Sequence, residues 1–115
     1  MVYNLEFASD TDRDFAAILN FLAESYISFG DRPKAAIERA ERRVESIRQD
    51  TKKLARLPHR GTTHDHVLPG LRHVTFGQVI VWFQVDDDAQ TVRVLAVFFG
   101  GQDHTRKMLT RLLAG

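Results

Sequence analysis

The chain has 115 residues, a formal net charge of +1 and no cysteine, with 43% apolar and 27% charged residues. That length suits one domain with a real core, and the apolar content excludes a disordered chain. The lack of cysteine excludes both a disulfide framework and a thiolate zinc site. No run approaches the roughly 18 apolar residues of a membrane span, and the first ten residues lack a basic stretch followed by an apolar one, so a cytoplasmic protein is expected.

Charge is unevenly spread. Residues 1–30 carry one arginine against five acids, residues 31–60 carry ten lysines or arginines against five acids, and residues 61–115 carry five of each. The basic excess sits on one segment, whose field can draw an acidic partner or a nucleic acid even when the total is near zero. A solvated helix face laced with Glu–Arg pairs is the plainer account.

In chain order, Tyr3, Leu5 and Phe7 alternate with Asn4 and Glu6, the period of a half-buried strand. Ser9 with Asp12, or Thr11 with Asp14, then offers a capping box, and three aspartates within Asp10 to Asp14 favour the positive end of a helix. Phe15, Ile18, Leu19, Leu22 and Tyr26 recur at helical spacing, and Gly30 suits a C-cap, so a helix is predicted over Thr11 to Phe29. A second helix starts at once, with Asp31 as N-cap and Pro33 in the first turn, where a missing N–H is tolerated. Its apolar stripe is Ile37, Ala40, Val44, Ile47, Thr51, Leu54 and Leu57. Its outer face carries Arg39, Arg42, Arg43, Arg48, Lys52, Lys53 and Arg56, and Pro58 ends it. The short connection makes the two helices an antiparallel hairpin laid on a sheet.

Residues 58–70 show no periodicity and read as a loop. They hold His59, His64 and His66, with Asp65 between the last two. A His-x-His pair beside a carboxylate suits zinc, nickel or copper, but no third ligand has recognisable spacing, so a solvated loop without metal is expected.

From Leu68 to Asp103 the pattern is a β-meander: a turn, three strand-like runs joined by short polar connections, and a Gly100-Gly101 break. The middle run, Val79 to Val85, is apolar at nearly every position, which suits a central strand covered on both faces. Arg72, His73, Thr75 and Arg93 put polar groups on or beside that sheet, and strand alternation sends Arg72 and His73 to opposite faces. Asp103 then caps a last helix, His104 to Leu113, whose Met108, Leu109, Leu112 and Leu113 make it a lid on the core or a docking surface. The expected architecture is therefore α+β: an N-terminal strand, an antiparallel helix hairpin, a three-stranded antiparallel meander and a short C-terminal helix. Gly100-Gly101 lacks the spacing of a nucleotide-binding fingerprint, and none of the four serines stands in a G-x-S-x-G context.

This order resembles the RelE/ParE superfamily of type II toxins, also called plasmid stabilization toxins. The resemblance rests on Tyr3-Asn4-Leu5-Glu6-Phe7 before an Asp-rich helix start, Leu57-Pro58-His59-Arg60-Gly61 after the long helix, and Pro69-Gly70-Leu71-Arg72. It continues in Val79 to Val85 with the acidic turn Asp86-Asp87-Asp88, and in Val92-Arg93-Val94-Leu95 running into Gln102-Asp103. It implies a toxin neutralised by a small ParD- or RelB-like antitoxin, with no cofactor. It also implies one of two targets: messenger RNA cut in the ribosome, as in RelE-like members, or DNA gyrase bound without chemistry, as in ParE-like members.

Metal-free RNA cleavage needs donors that hold the phosphate and a group that moves a proton. Arg72 and Arg93 suit the first role as bidentate donors, and His73 or His104 the second. Against this, Phe98 and Phe99 stand in place of tyrosine where the last strand ends, Arg72 and His73 point apart, and the net charge is low for gripping RNA. The ParE-like reading is therefore favoured over the nuclease, and a non-toxic partner-binding domain of the same fold is a third reading. Arg60, Arg72, Arg93 and His104 are the expected target-contacting residues; in a nuclease, Arg72, Arg93 and His104 would be the catalytic ones. Tyr26, Phe29 and Met108 are the expected apolar contacts for the antitoxin.

Overall fold

The computed structural model describes residues 2–101 and 103–114; Gln102, in the last of the motifs above, lies outside them. Strand β1 (Asn4–Phe7) leads into helix α1 (Asp10–Ser28) and then α2 (Pro33–Lys52), which tightens into a 3-10 turn at Lys53–Ala55. Strands β2 (Thr62–Thr63), β3 (Leu71–Phe76), β4 (Val79–Asp86) and β5 (Thr91–Phe99) precede helix α3 (His104–Ala114). The predicted α+β order of strand, helix hairpin, meander and C-terminal helix is present. The loop expected over residues 58–70 contains the short edge strand β2 as a difference. Among the described residues no helix is long and apolar enough to cross a membrane.

The sheet has five strands in the order β1-β5-β4-β3-β2. The meander strands β3, β4 and β5 pair antiparallel, whereas β1 pairs parallel to β5. The sheet is therefore mixed, not purely antiparallel. The helix hairpin supplies the long crossover that a parallel neighbour requires.

Strand β4 is buried on both faces, as its composition predicts. Val79, Val81, Phe83 and Val85 join Phe15, Ile18 and Leu22 of α1 and Ala40, Val44 and Ile47 of α2 in a larger core. Ile80 and Trp82 point the other way and join Leu71, Ala96 and Met108 in a smaller core that α3 covers. Helix α3 is thus a lid: Met108 is buried, Leu112 packs against the second core, and Leu113 is exposed.

A register shift between Trp82 and Phe83 makes Trp82 pair with Ala96 and Phe83 with Val94. Leu95 is the extra residue, and it lies on the same side as Ala96, against the second core. Such a bulge re-aims the strand beyond it. It carries Arg93 onto the Trp82 side of the sheet, at the part of that side that α3 leaves uncovered.

Several local expectations are corrected. The N-cap Ser9 makes no side-chain cap bond, so no capping box forms there. Thr11 is buried and donates to the Ala8 carbonyl, and Asp14 is drawn into the interior by partners distant in sequence. The N-cap of α2 is Arg32, while Asp31 pairs with Arg39 at 3.2 Å; Pro33 does open the helix. Ile37 and Leu57, at the two ends of the predicted stripe, are exposed, and Ala36 takes the buried place of Ile37. Asp103 sits at φ +58°, a left-handed conformation that aspartate tolerates, and caps α3 with its carbonyl, which accepts from the Lys107 N–H at 2.9 Å.

Candidate functional site

The uncovered part of the sheet is a row of side chains set by register. Glu6 lies beside Arg93, Arg93 beside Gln84, and Gln84 beside Leu71. Together with the β4–β5 turn and the loop before β3 they form a cleft of about 780 Å³. Arg72 and Arg93 both line it, and so do five carboxylates: Glu6, Asp65, Asp86, Asp87 and Asp88. With histidine neutral, the lining carries an excess of three negative charges.

Local bonding fixes this rim. The Tyr3 hydroxyl donates to Asp87 at 2.8 Å, and His59 Nε2 lies 2.6 Å from the same oxygen. The Tyr3 bond, followed by the His59 bond, holds the Asp87 carboxyl below the usual aspartate value, and the same contact raises the Tyr3 phenol. Asp65 accepts from the Gly70 N–H, and Gln84 donates to the Pro69 carbonyl. Arg72 donates to the backbone carbonyls of His59 (2.9 Å) and Arg60 (3.4 Å), so its guanidinium staples the loop to β3. Arg93 is exposed and has no ion pair among the described residues.

Farther along the same face the chain brings together four rings. His64 Nε2 lies 2.7 Å from His73 Nδ1, and the Trp82 indole N–H donates to His104 Nδ1 at 3.2 Å. The His73 ring is 4.8 Å from both Trp82 and His104 by centroids. Burial, and then the neighbouring imidazoles, lower the proton affinity of His64 and His73. His64 therefore acquires the imidazole neighbours that sequence spacing did not reveal. Among the described residues, however, no three His, Cys, Asp or Glu side chains are placed to hold a metal ion.

A largely buried ion pair lies where α1, β5 and α3 meet. Arg111 grips both Asp14 oxygens at 2.7 Å and also donates to the Leu95 carbonyl, while Asp14 accepts from the Val97 N–H at 3.0 Å. Strand β1 pairs with β5 only as far as Val94, so this fork satisfies backbone groups that no strand covers.

Of the four expected target-contacting residues, Arg72 and Arg93 both border one cleft, although register sends them to opposite faces of the sheet, Arg72 beside Phe83 and Arg93 beside Gln84. His104 belongs to the ring cluster, and the Arg60 guanidinium lies 5.4 Å from the Phe76 ring, away from the cleft. Arg72 and His73 do face opposite sides, since Arg72 pairs with Phe83 of the larger core and His73 with Trp82 of the smaller. The three residues expected to meet an antitoxin do not form one surface. Phe29 is 90% exposed at the hairpin tip, Tyr26 is half-buried under the Arg39 guanidinium, and Met108 is buried on the opposite face of the sheet. Sequence reasoning missed the Asp14–Arg111 fork and Trp82. An aspartate on the buried side of a helical stripe was the available signal for the first; nothing local marked the second.

The sequence matches the profile of the ParE toxin of the type II toxin–antitoxin system parDE over residues 5–104. No curated protein matches it significantly. Among solved structures, the chromosomal ParDE toxin–antitoxin system from P. aeruginosa aligns at 19% identity over 87% of this chain and 98% of that one, with a TM-score of 0.62. The RelBE2 toxin–antitoxin complex from Mycobacterium tuberculosis aligns at 19% identity over 86% and 92%, with a TM-score of 0.58. A mutant of the E. coli toxin RelE in the free state aligns at 12% identity over 99% and 97%, with a TM-score of 0.62. At these identities the likeness is one of fold.

Proposed function

Because the chain belongs to the ParE toxin family of type II toxin–antitoxin systems, we propose that it arrests growth by holding a protein target such as DNA gyrase, and not by cutting RNA. One observation carries this reading: the cleft that gathers Arg72 and Arg93 also presents five carboxylates. Phosphate recognition by a protein rests on net positive charge at the contact, and this rim opposes it. The Arg72 guanidinium is further committed to two loop carbonyls, which leaves Arg93 as the free cation of the pair. A mixed-charge, concave surface suits a protein partner whose own charges alternate.

Neutralisation by a cognate antitoxin follows from the family and is supported by the complexes that share this fold. Its apolar contact is assigned to the hairpin end at Tyr26 and Phe29, with Met108 available only if α3 moves. Induced expression in a bacterial host, followed by gyrase supercoiling and ribosome-dependent mRNA cleavage assays on purified protein, separates the readings. Loss of supercoiling with intact mRNA is expected. Ribosome-dependent cuts would replace this reading with the RelE-like nuclease, and absence of any growth effect would replace it with a partner-binding domain that is not toxic.

A further inference from the structure

The ring cluster has no part in the cleft reading, and its geometry points to a conformational device. Helix α3 meets the sheet through Met108 and Leu112, through the Arg111 bond to the Leu95 carbonyl, and at its first residue through a hydrogen bond in which Trp82 Nε1 of β4 donates to His104 Nδ1. An indole N–H only donates, so His104 Nδ1 must be unprotonated for this bond to exist. A proton there sets two N–H groups against each other. It also places a cation at the first residue of α3, where the helix dipole opposes positive charge.

The neighbours make protonation harder to accommodate. His64 and His73 share one hydrogen bond and tolerate one proton between them; charging both rings sets N–H against N–H at 2.7 Å. The groups around them offer little compensation. On the β2–β3 loop, His66 is 6.1 Å from His64, and Asp65 is turned to the Gly70 N–H. On β3, Arg72 lies on the opposite face. On α3, Lys107 and Arg111 turn toward Phe98, Arg111 is paired with Asp14, Arg106 is a further exposed cation, and Asp103, exposed before His104, makes no ion pair with it.

We propose that His64, His73 and His104 form an acid-sensitive clasp that holds α3 over Trp82 when uncharged and releases the start of that helix when protonated. Release uncovers the apolar strip of Leu71, Ile80, Trp82 and Ala96. Acidification thereby changes the face that the toxin offers beside Arg93.

The burial and imidazole effects that lower His64 and His73 place the transition below about pH 6.5, the ordinary imidazole value. Trp82 is the only tryptophan and is 1% exposed, so its emission reads the event directly. In the full-length chain, acidification from pH 8 to pH 5 is expected to shift that emission to the red and to raise its quenching by acrylamide, while most far-UV dichroism remains. His104→Gln keeps an acceptor for the indole N–H and cannot titrate, so the shift should vanish. His73→Gln, a second variant, removes one like charge from the cluster and should move the midpoint upward. An emission unchanged over this range, a shift retained in His104→Gln, or a shift that coincides with loss of the whole dichroism signal would each overturn the proposal.

Discussion

Arg111→Met tests the interior most directly. The substitution removes a guanidinium with two 2.7 Å bonds to Asp14 and a 3.2 Å bond to the Leu95 carbonyl. Asp14, 8% exposed, is left with the Val97 N–H as its remaining partner. Breaking a buried pair from one side costs about 3–5 kcal/mol, mostly because a charge is stranded. Arg111 is 26% exposed, so water can reach the site and the lower end, about 3 kcal/mol, applies. Small domains hold about 5–15 kcal/mol in total, so the loss is a large share. At about 4–5 °C per kcal/mol for a chain of this size, Tm should fall by about 12–15 °C. Urea unfolding followed by Trp82 emission and dichroism measures it. Adding Asp14→Asn removes the stranded charge while keeping an acceptor for Val97, so the double variant should recover most of the loss. A cost below about 1 kcal/mol, the worth of a surface pair, or a double variant weaker than the single one, refutes the reasoning.

Arg93→Ala should leave unfolding within about 0.5 kcal/mol of the parent, as an exposed and unpaired side chain allows, yet abolish growth arrest at matched expression; unchanged arrest would remove Arg93 from the target surface. Arg72→Ala should lose toxicity with the fold retained, at a cost of about 1–3 kcal/mol for the two bonds to the loop, read as faster amide exchange at His59 to Gly61. Gly70→Ala should destabilise by at least about 1 kcal/mol, because the new Cβ would stand 2.3 Å from the Val85 carbonyl oxygen at φ +80°; equal stability in thermal unfolding would mean that the backbone there relaxes freely. Asp87 has a folded-state affinity for protons below its unfolded one, so its contribution is present above about pH 4 and lost as pH falls through the lowered value. Tyr3→Phe removes the first cause of that shift, and a carboxylate NMR titration should show Asp87 moving up.

The order of elements was readable because helix and strand periodicities are local: two or three turns of Phe15, Ile18 and Leu22, or one run of Val79 to Val85, identify an element and its buried side. Turn chemistry likewise placed Pro33 at the start of α2 and ended α1 near Gly30. The stripe of α2 misled at its ends, because Ala36 and not Ile37 faces the core in the first turn, and the helix has already tightened into a 3-10 turn before Leu57. For the site, the residue types were visible and their grouping was not. Arg72 and Arg93 were marked, but the five carboxylates that share their cleft come from β1, the β2–β3 loop, the end of β4 and the β4–β5 turn.

Local patterning was enough to place the helices and every strand but β2, to show that β4 is covered twice, and to identify the family to which that succession belongs. The tertiary structure alone decided that β1 lies parallel to β5, that Leu95 bulges, that Asp14 reaches Arg111, and that His64, His73 and His104 close around Trp82. The reason is one of range: a period of 2 or 3.6 reports how a residue sits on its own element, whereas contact between elements depends on strand order and register, which no local spacing encodes.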